Sequence, residues 1–128
     1  MKSIKELIKN VNDDGSDDNL NLLIATILGS KFYVARYLEE DGSFLMIEDH
    51  EGNLHYPIFS DLEELDKWEG DFDADIWTFR QYLCRIMDEY QGNNVVINPF
   101  GESFDLPEGF INDCIEAIRL EEKNDHHN

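Results

Sequence analysis

Apolar residues recur along this chain with two periods, and their order predicts alternating helices and strands. Ser3, with Glu6 three positions on, makes a capping box before Ile4, Leu7, Ile8 and Val11, which predicts a helix of about two turns. Lys2, Lys5 and Lys9 give this segment a basic side, and the polar run NDDGSDDN after it predicts a loosely held element. Asp17 or Asp18 is placed to cap a second helix, in which Leu20, Leu23, Ile24, Ile27 and Leu28 keep helical spacing up to Gly29. So many apolar positions predict a largely buried helix. Residues 31–38 (KFYVARYL) and 44–47 are rich in apolar, aromatic and β-branched side chains and read as strands, with turns at 40–42 and 50–53. Leu54, Tyr56 and Ile58 then alternate with His55, Pro57 and Phe59. Pro57 has no N–H for a ladder, which places this third strand at an edge or beside a bulge. Short turns between the three predict an antiparallel meander.

Ser60 and Glu63 make a second capping box. The helix it opens would turn Leu62, Leu65 and Trp68 inward and Glu63, Glu64 and Asp66 outward, ending at Gly70. Past the acidic break 71–75 (DFDAD), Ile76, Phe79, Leu83, Ile86, Met87 and Tyr90 form a stripe that predicts the longest helix, closed by Gly92. Residues 95–107 (VVINPFGESFDLP) read as a strand, a tight turn, a return strand and the first residue of a helix. Val95, Val96 and Ile97 suit a buried strand, Asn98 to Gly101 carry type I turn chemistry, and Phe104 and Leu106 alternate with polar neighbours. Pro107 fits a first helical position, and Phe110, Ile111, Cys114, Ile115 and Ile118 mark one face of the last helix. These elements predict one α+β domain over residues 1–120, an antiparallel or mixed sheet of about five strands with helices packed on it. Residues 121–128 predict a frayed polar tail.

Composition narrows the classes of function. A chain of 128 residues with 41% hydrophobic content can bury a core unaided. Its formal net charge of −19 disfavours nucleic acid and anionic membrane surfaces and favours a partner with a basic surface. Fourteen Asp and Glu against Lys67 alone concentrate −13 of that charge in residues 38–75. There is no apolar run of spanning length, and the N-terminal decapeptide lacks a signal-peptide core, so a cytoplasmic location is expected. Cys84 and Cys114 form no disulfide or zinc pattern and read as small hydrophobes on helical faces.

Candidate chemistry is sparse. The alternating Asp71, Asp73 and Asp75 suggest calcium, but the loop carries Ile76 where glycine is needed and Tyr82 where glutamate is needed. They read better as a solvated loop with a helix cap. Asp13 to Asp18 fail the same test, with Ile24 at the twelfth position. His50 and His55 lie in or beside the second hairpin without a nucleophile elbow or zincin motif, and His126 and His127 lie in the tail. No catalytic residue, metal site or cofactor is expected.

Three stretches together resemble the N-terminal domain of the SseB family, the enhanced serine sensitivity proteins of bacteria. They are GSKFYV (29–34), YPIFSDLEELDKW (56–68) and VVINPFGESFDLP (95–107), in matching order and spacing, so the resemblance covers about residues 20–118. It implies the bacterial cytoplasm and the one-domain form of the family. The family is named for a serine-tolerance phenotype, and the resemblance implies no catalytic residues.

The expected function is a non-enzymatic protein-interaction or regulatory accessory domain. Its expected partner-binding residues are Asp61, Glu64, Trp68, Asp71 and Asp73, together with Phe100 and Glu102 presented by the 98–103 loop. An immunity or antitoxin-like protein that blocks a basic toxin is a narrower alternative. An enzyme with a dispersed site built on His50 or His55 is another. The sequence assigns no oligomeric state, since an exposed edge strand would permit self-association and the large like charge opposes it.

Overall fold

The computed structural model describes residues 3–36, 46–48, 50–68, 72–88 and 94–125. Along the chain the elements run α1 (Ile4–Asp13), α2 (Asp17–Leu28), β1 (Lys31–Arg36), β2 (Ile47–Glu48), β3 (Leu54–Ile58), α3 (Leu62–Leu65), β4 (Asp73–Thr78), α4 (Phe79–Ile86), β5 (Asn94–Ile97), β6 (Phe104–Asp105) and α5 (Glu108–Asp125). Several expected features lie outside the described residues: the 40–42 turn, Phe44, Gly70, Asp71, Tyr90, Gly92, His126 and His127.

Ser3 caps α1 as its sequence requires, its Oγ accepting the Glu6 backbone N–H at 3.2 Å. Ile4, Leu7 and Ile8 are buried, so hydrophobic packing fixes this helix and it is not the loose element its polar flank suggested. Ser16, one residue before the expected Asp17 or Asp18, caps α2 by accepting the Asn19 N–H. The two aspartates occupy the first turn, where their charge meets the positive end of the helix dipole. Only Leu23 and Ile27 of α2 are fully buried, while Leu22 and Leu28 face solvent. The helix is half-buried because its apolar residues extend beyond the one face that meets the core.

The strands form a two-stranded sheet, β1 with β4, and a four-stranded mixed sheet in the order β2-β3-β5-β6. The α+β class holds and β2 pairs antiparallel with β3 as expected, but among the described residues β1 joins a different sheet and the three strands do not form one meander. β1 runs antiparallel to β4, Lys31 opposite Thr78 and Arg36 opposite Asp73, and an isolated Tyr33–Phe59 bridge ties it to the chain just past β3. β3 instead runs parallel to β5, with Tyr56 opposite Val95 and Ile58 opposite Ile97. Pro57 therefore sits in an interior strand. Among the described residues the β2 ladder pairs Leu54 and His55, and the missing N–H of Pro57 lies past that pairing.

The stripe that began at Ile76 also divides differently. Ile76, Trp77 and Thr78 are β-branched or aromatic and complete the ladder with β1. Thr78 then caps α4 through a reciprocal box with Gln81, at 3.1 and 2.9 Å. The expected cap within the acidic break is thus displaced to Thr78, and α4 keeps eight residues against eighteen in α5, the longest helix. α5 follows directly on Pro107, whose carbonyl accepts the Ile111 N–H, and continues to Asp125, beyond the expected start of the tail at Glu121.

The main core lies between the mixed sheet and the helices, with Ile8, Leu23, Phe32, Leu83, Ile97 and Ile111 among its enclosed residues. A second, smaller cluster forms around Ala35, Phe59 and Leu65 on the other side of β1, with Tyr33, Trp68 and Phe72 packed against it. Cys114 is half-buried, and loss of hydration pushes its thiol pKa up. Cys84 departs from its expected packing role and is exposed on α4.

Candidate functional site

The turn after β5 is fixed from both ends. Asn98 takes a positive φ of 55°, a region asparagine tolerates, and its carbonyl accepts the Gly101 N–H at 3.1 Å to close the turn. Its side chain does not serve this turn, as the sequence suggested, but crosses to the start of α3. There Oδ1 accepts the Ser60 N–H and Nδ2 donates to Ser60 Oγ, both at 2.9 Å. Asp61, one residue after the expected Ser60, caps α3 by accepting the Glu64 N–H at 2.9 Å.

That single-residue displacement accompanies an exchange of faces on the helix. Leu62, expected inward, is 53% exposed, and Glu64, expected outward, is 3% exposed. A buried carboxylate needs partners, and Glu64 has two: Lys67 Nζ at 2.8 Å and Lys5 Nζ, from α1, at 3.1 Å. Burial pushes the Glu64 carboxyl pKa upward, but hydrogen bonds from Lys67 and Lys5, with their charges, outweigh it and hold the group below its ordinary range. Lys5 also lies 3.4 Å from Asp61 and 3.5 Å from Glu63. Its pKa is raised chiefly by the Glu64 hydrogen bond, against the opposing effect of burial, with the charges of Asp61, Glu64 and Glu63 adding to it. Gly101 lies over this cluster, and a Cβ there would stand 2.3 Å from Glu64 Oε1 and 2.9 Å from Lys67 Nζ, so any larger residue would force this ion pair to shift.

Beside the charged cluster lies an aromatic one. Phe59 is buried at its centre; Phe100 stacks on it at 6.2 Å between centroids, and Trp68 meets it edge-on, also at 6.2 Å. Trp68 also packs against Phe72 at 6.5 Å, and against Phe100 at 5.4 Å with the rings inclined at 73°. Phe100 remains 45% exposed. The rings border an open groove of about 460 Å³ lined by Met46, Ile47, Lys67, Trp68 and Phe100. A polar hollow of about 220 Å³, lined by Lys5, Glu63, Glu64, Lys67, Asn98 and Glu102, shares Lys67 with it. A further apolar hollow of about 250 Å³ lies where α2, α4 and α5 meet, around Leu28, Leu83 and Ile118.

Of the expected partner-binding residues, Asp61, Glu64, Trp68, Phe100 and Glu102 come together here. Asp61 and Glu64 serve the fold as cap and buried ion, while Trp68, Phe100 and the exposed Glu102 border the grooves. Asp73 lies on β4, where it and Asp75 flank Arg36 at 3.7 and 2.6 Å. Asp71 lies outside the described residues. Sequence reasoning missed Lys5, Lys67, Gly101, Met46 and Ile47. Lys67 carried the one usable signal, because a lone cation in an acidic segment points to a carboxylate that needs a partner. His50 is exposed and His55 half-buried, and neither lines these three hollows. Among the described residues, no group of three His, Cys, Asp or Glu side chains is arranged to hold a metal ion. No helix among them is long and apolar enough to cross a membrane.

Comparison with curated proteins and with solved structures finds no match. The family model of the SseB protein N-terminal domain matches residues 4–113, which span α1 through the start of α5 and include every residue of the charged and aromatic clusters. With most of its length so matched, the chain belongs to the SseB family, through the N-terminal domain.

Proposed function

We propose that this domain is a non-enzymatic protein-interaction module, an accessory in a regulatory process, which docks a partner with a basic surface. The observation that carries this reading is the groove at Trp68 and Phe100. It keeps a large aromatic residue in water on a chain of net charge −19. Apolar anchors within a polar rim are the usual centre of a protein interface, and long-range charge speeds and orients the encounter. Glu64, the buried carboxylate nearby, is held ionised by two lysines, the opposite of what a proton donor at neutral pH needs. The family membership supports placing this role in the bacterial cytoplasm.

The test uses the immobilised chain and a Glu63→Lys/Asp66→Lys/Glu102→Lys variant, all three positions being exposed. Both are exposed to soluble proteins of the native cell at low and high salt. One stoichiometric partner, weakened by salt and lost on charge reversal, is the expected result. No specific partner at either salt would sink the reading. A partner whose toxicity is relieved by co-expression of the domain would assign the narrower immunity role.

A further inference from the structure

We infer that the corner between Trp68 and Phe100 is the seat of an arginine side chain carried on a basic segment of the partner protein. This rests on the interaction reading above and names the group that occupies its groove. Two aromatic rings inclined at 73°, 5.4 Å apart, line a groove walled by Met46 and Ile47. A guanidinium is planar, weakly hydrated and suited to stacking on a ring face, and its aliphatic stem packs on apolar walls. An ammonium group is compact and strongly hydrated and gives up more on entering such a corner.

Charge complementarity identifies the occupant as cationic. Lys67 lines the groove and would repel an incoming cation by itself, but Glu64 at 2.8 Å neutralises it. Among the described residues, Glu48, Asp61, Glu63, Asp66 and Glu102 lie on the lining segments or beside them, against one further cation, Lys5. The surroundings are therefore negative although the groove wall holds a lysine. A second copy of this chain fits poorly, because two bodies each of net charge −19 repel.

The corner is also set before binding. Phe100 stands on a turn closed by the Gly101 N–H and tied through Asn98 to Ser60, and Trp68 is braced by Phe59 and Phe72. A ligand gives up little free energy to ordering the site.

Two capped synthetic peptides of alternating glycine with arginine or lysine, matched in charge, test the assignment by calorimetric titration at low salt. The Trp68 indole N–H is followed in parallel by NMR, assigned with a Trp68→Phe variant. The arginine peptide is expected to bind about three- to ten-fold tighter than the lysine peptide and to shift the Trp68 signal. Phe100→Leu, which keeps apolar bulk and removes one of the two π faces, should weaken arginine-peptide binding until it lies within about two-fold of the lysine peptide's. Equal affinities with an unmoved Trp68 signal, or a preference that survives Phe100→Leu, would overturn the arginine seat while leaving a basic partner in place. Saturable binding of neither peptide would overturn both readings.

Discussion

The main core and the smaller cluster beside it are made of the same kinds of side chain and finished differently. In the main core Phe79 meets Phe32 edge-on at 6.5 Å and stacks on Phe110 at 5.9 Å, under helices that shield Phe79 from solvent. In the smaller cluster Phe59 meets Trp68 and Phe100 with similar geometry, but Phe100 stays 45% exposed and a buried carboxylate borders the assembly. Leaving that much of a phenylalanine in water forgoes about 1 kcal/mol of burial free energy. One aromatic cluster is spent on holding the domain together, and the other keeps a hydrophobic face available.

The largest contrast is expected from truncation in the closed core. Ile97→Ala, at a residue with no exposure, should lower unfolding free energy by about 2–5 kcal/mol in urea titration. Phe100→Ala should lower it by about 1 kcal/mol, since much of the ring is already hydrated. Equal losses would erase the distinction between the two clusters.

Between these extremes stands Gly101→Ala, which drives a Cβ toward the Glu64 carboxylate and should destabilise by about 1–3 kcal/mol. In a Glu64→Ala background the same change should cost less than about 0.5 kcal/mol, because the nearest obstructing atoms are gone and Lys67 Nζ, 2.9 Å from the added Cβ, is released from Glu64 and free to move aside. A double-mutant cycle without coupling would show that the turn yields easily.

Acidity sharpens the same border. The folded Glu64 pKa lies below its unfolded value, so the unfolded chain takes up this proton first and stability rises with pH across the interval. The contribution is full above the ordinary carboxylate value of about 4.3 and is lost as pH falls through the lower, folded value. Urea unfolding over a pH series should show the advantage of the native chain over Glu64→Gln at neutral pH and its disappearance in acid. A constant difference would mean the charge on Glu64 is irrelevant. The smallest effect is expected at Asp73→Asn, an exposed partner of Arg36, within about 0.5 kcal/mol.

Local features of the sequence were legible where one segment determined its own geometry. Ser3 marked the start of α1, Val95 to Ile97 marked β5, and the 98–101 turn closed where its Pro and Gly placed it, although the Asn98 side chain serves Ser60 instead. Pairing between distant segments was not legible. β1 finds β4 across much of the chain, and Ile76 satisfies a helical stripe as well as a strand, so only the tertiary partner decides. α3 illustrates the limit at the candidate site. Four residues are too few to establish a period, and burial of Glu64 depends on Lys5 from the other end of the domain. Trp68 and Phe100 were recognisable as candidate residues, but their meeting in one corner needed the Asn98–Ser60 tie.

The walls of the groove come from widely spaced parts of the chain: Met46 and Ile47, Lys67 and Trp68, and finally Phe100, with Lys5 beneath. During synthesis the N-terminal segments emerge first, as domains are built from that end. Lys5 then waits for Glu64, and both wait for the turn at Gly101 to leave the ribosome. A chain that ends before the turn lacks Phe100 and cannot form the aromatic corner. The corner is thereby complete only in chains whose synthesis has passed the turn.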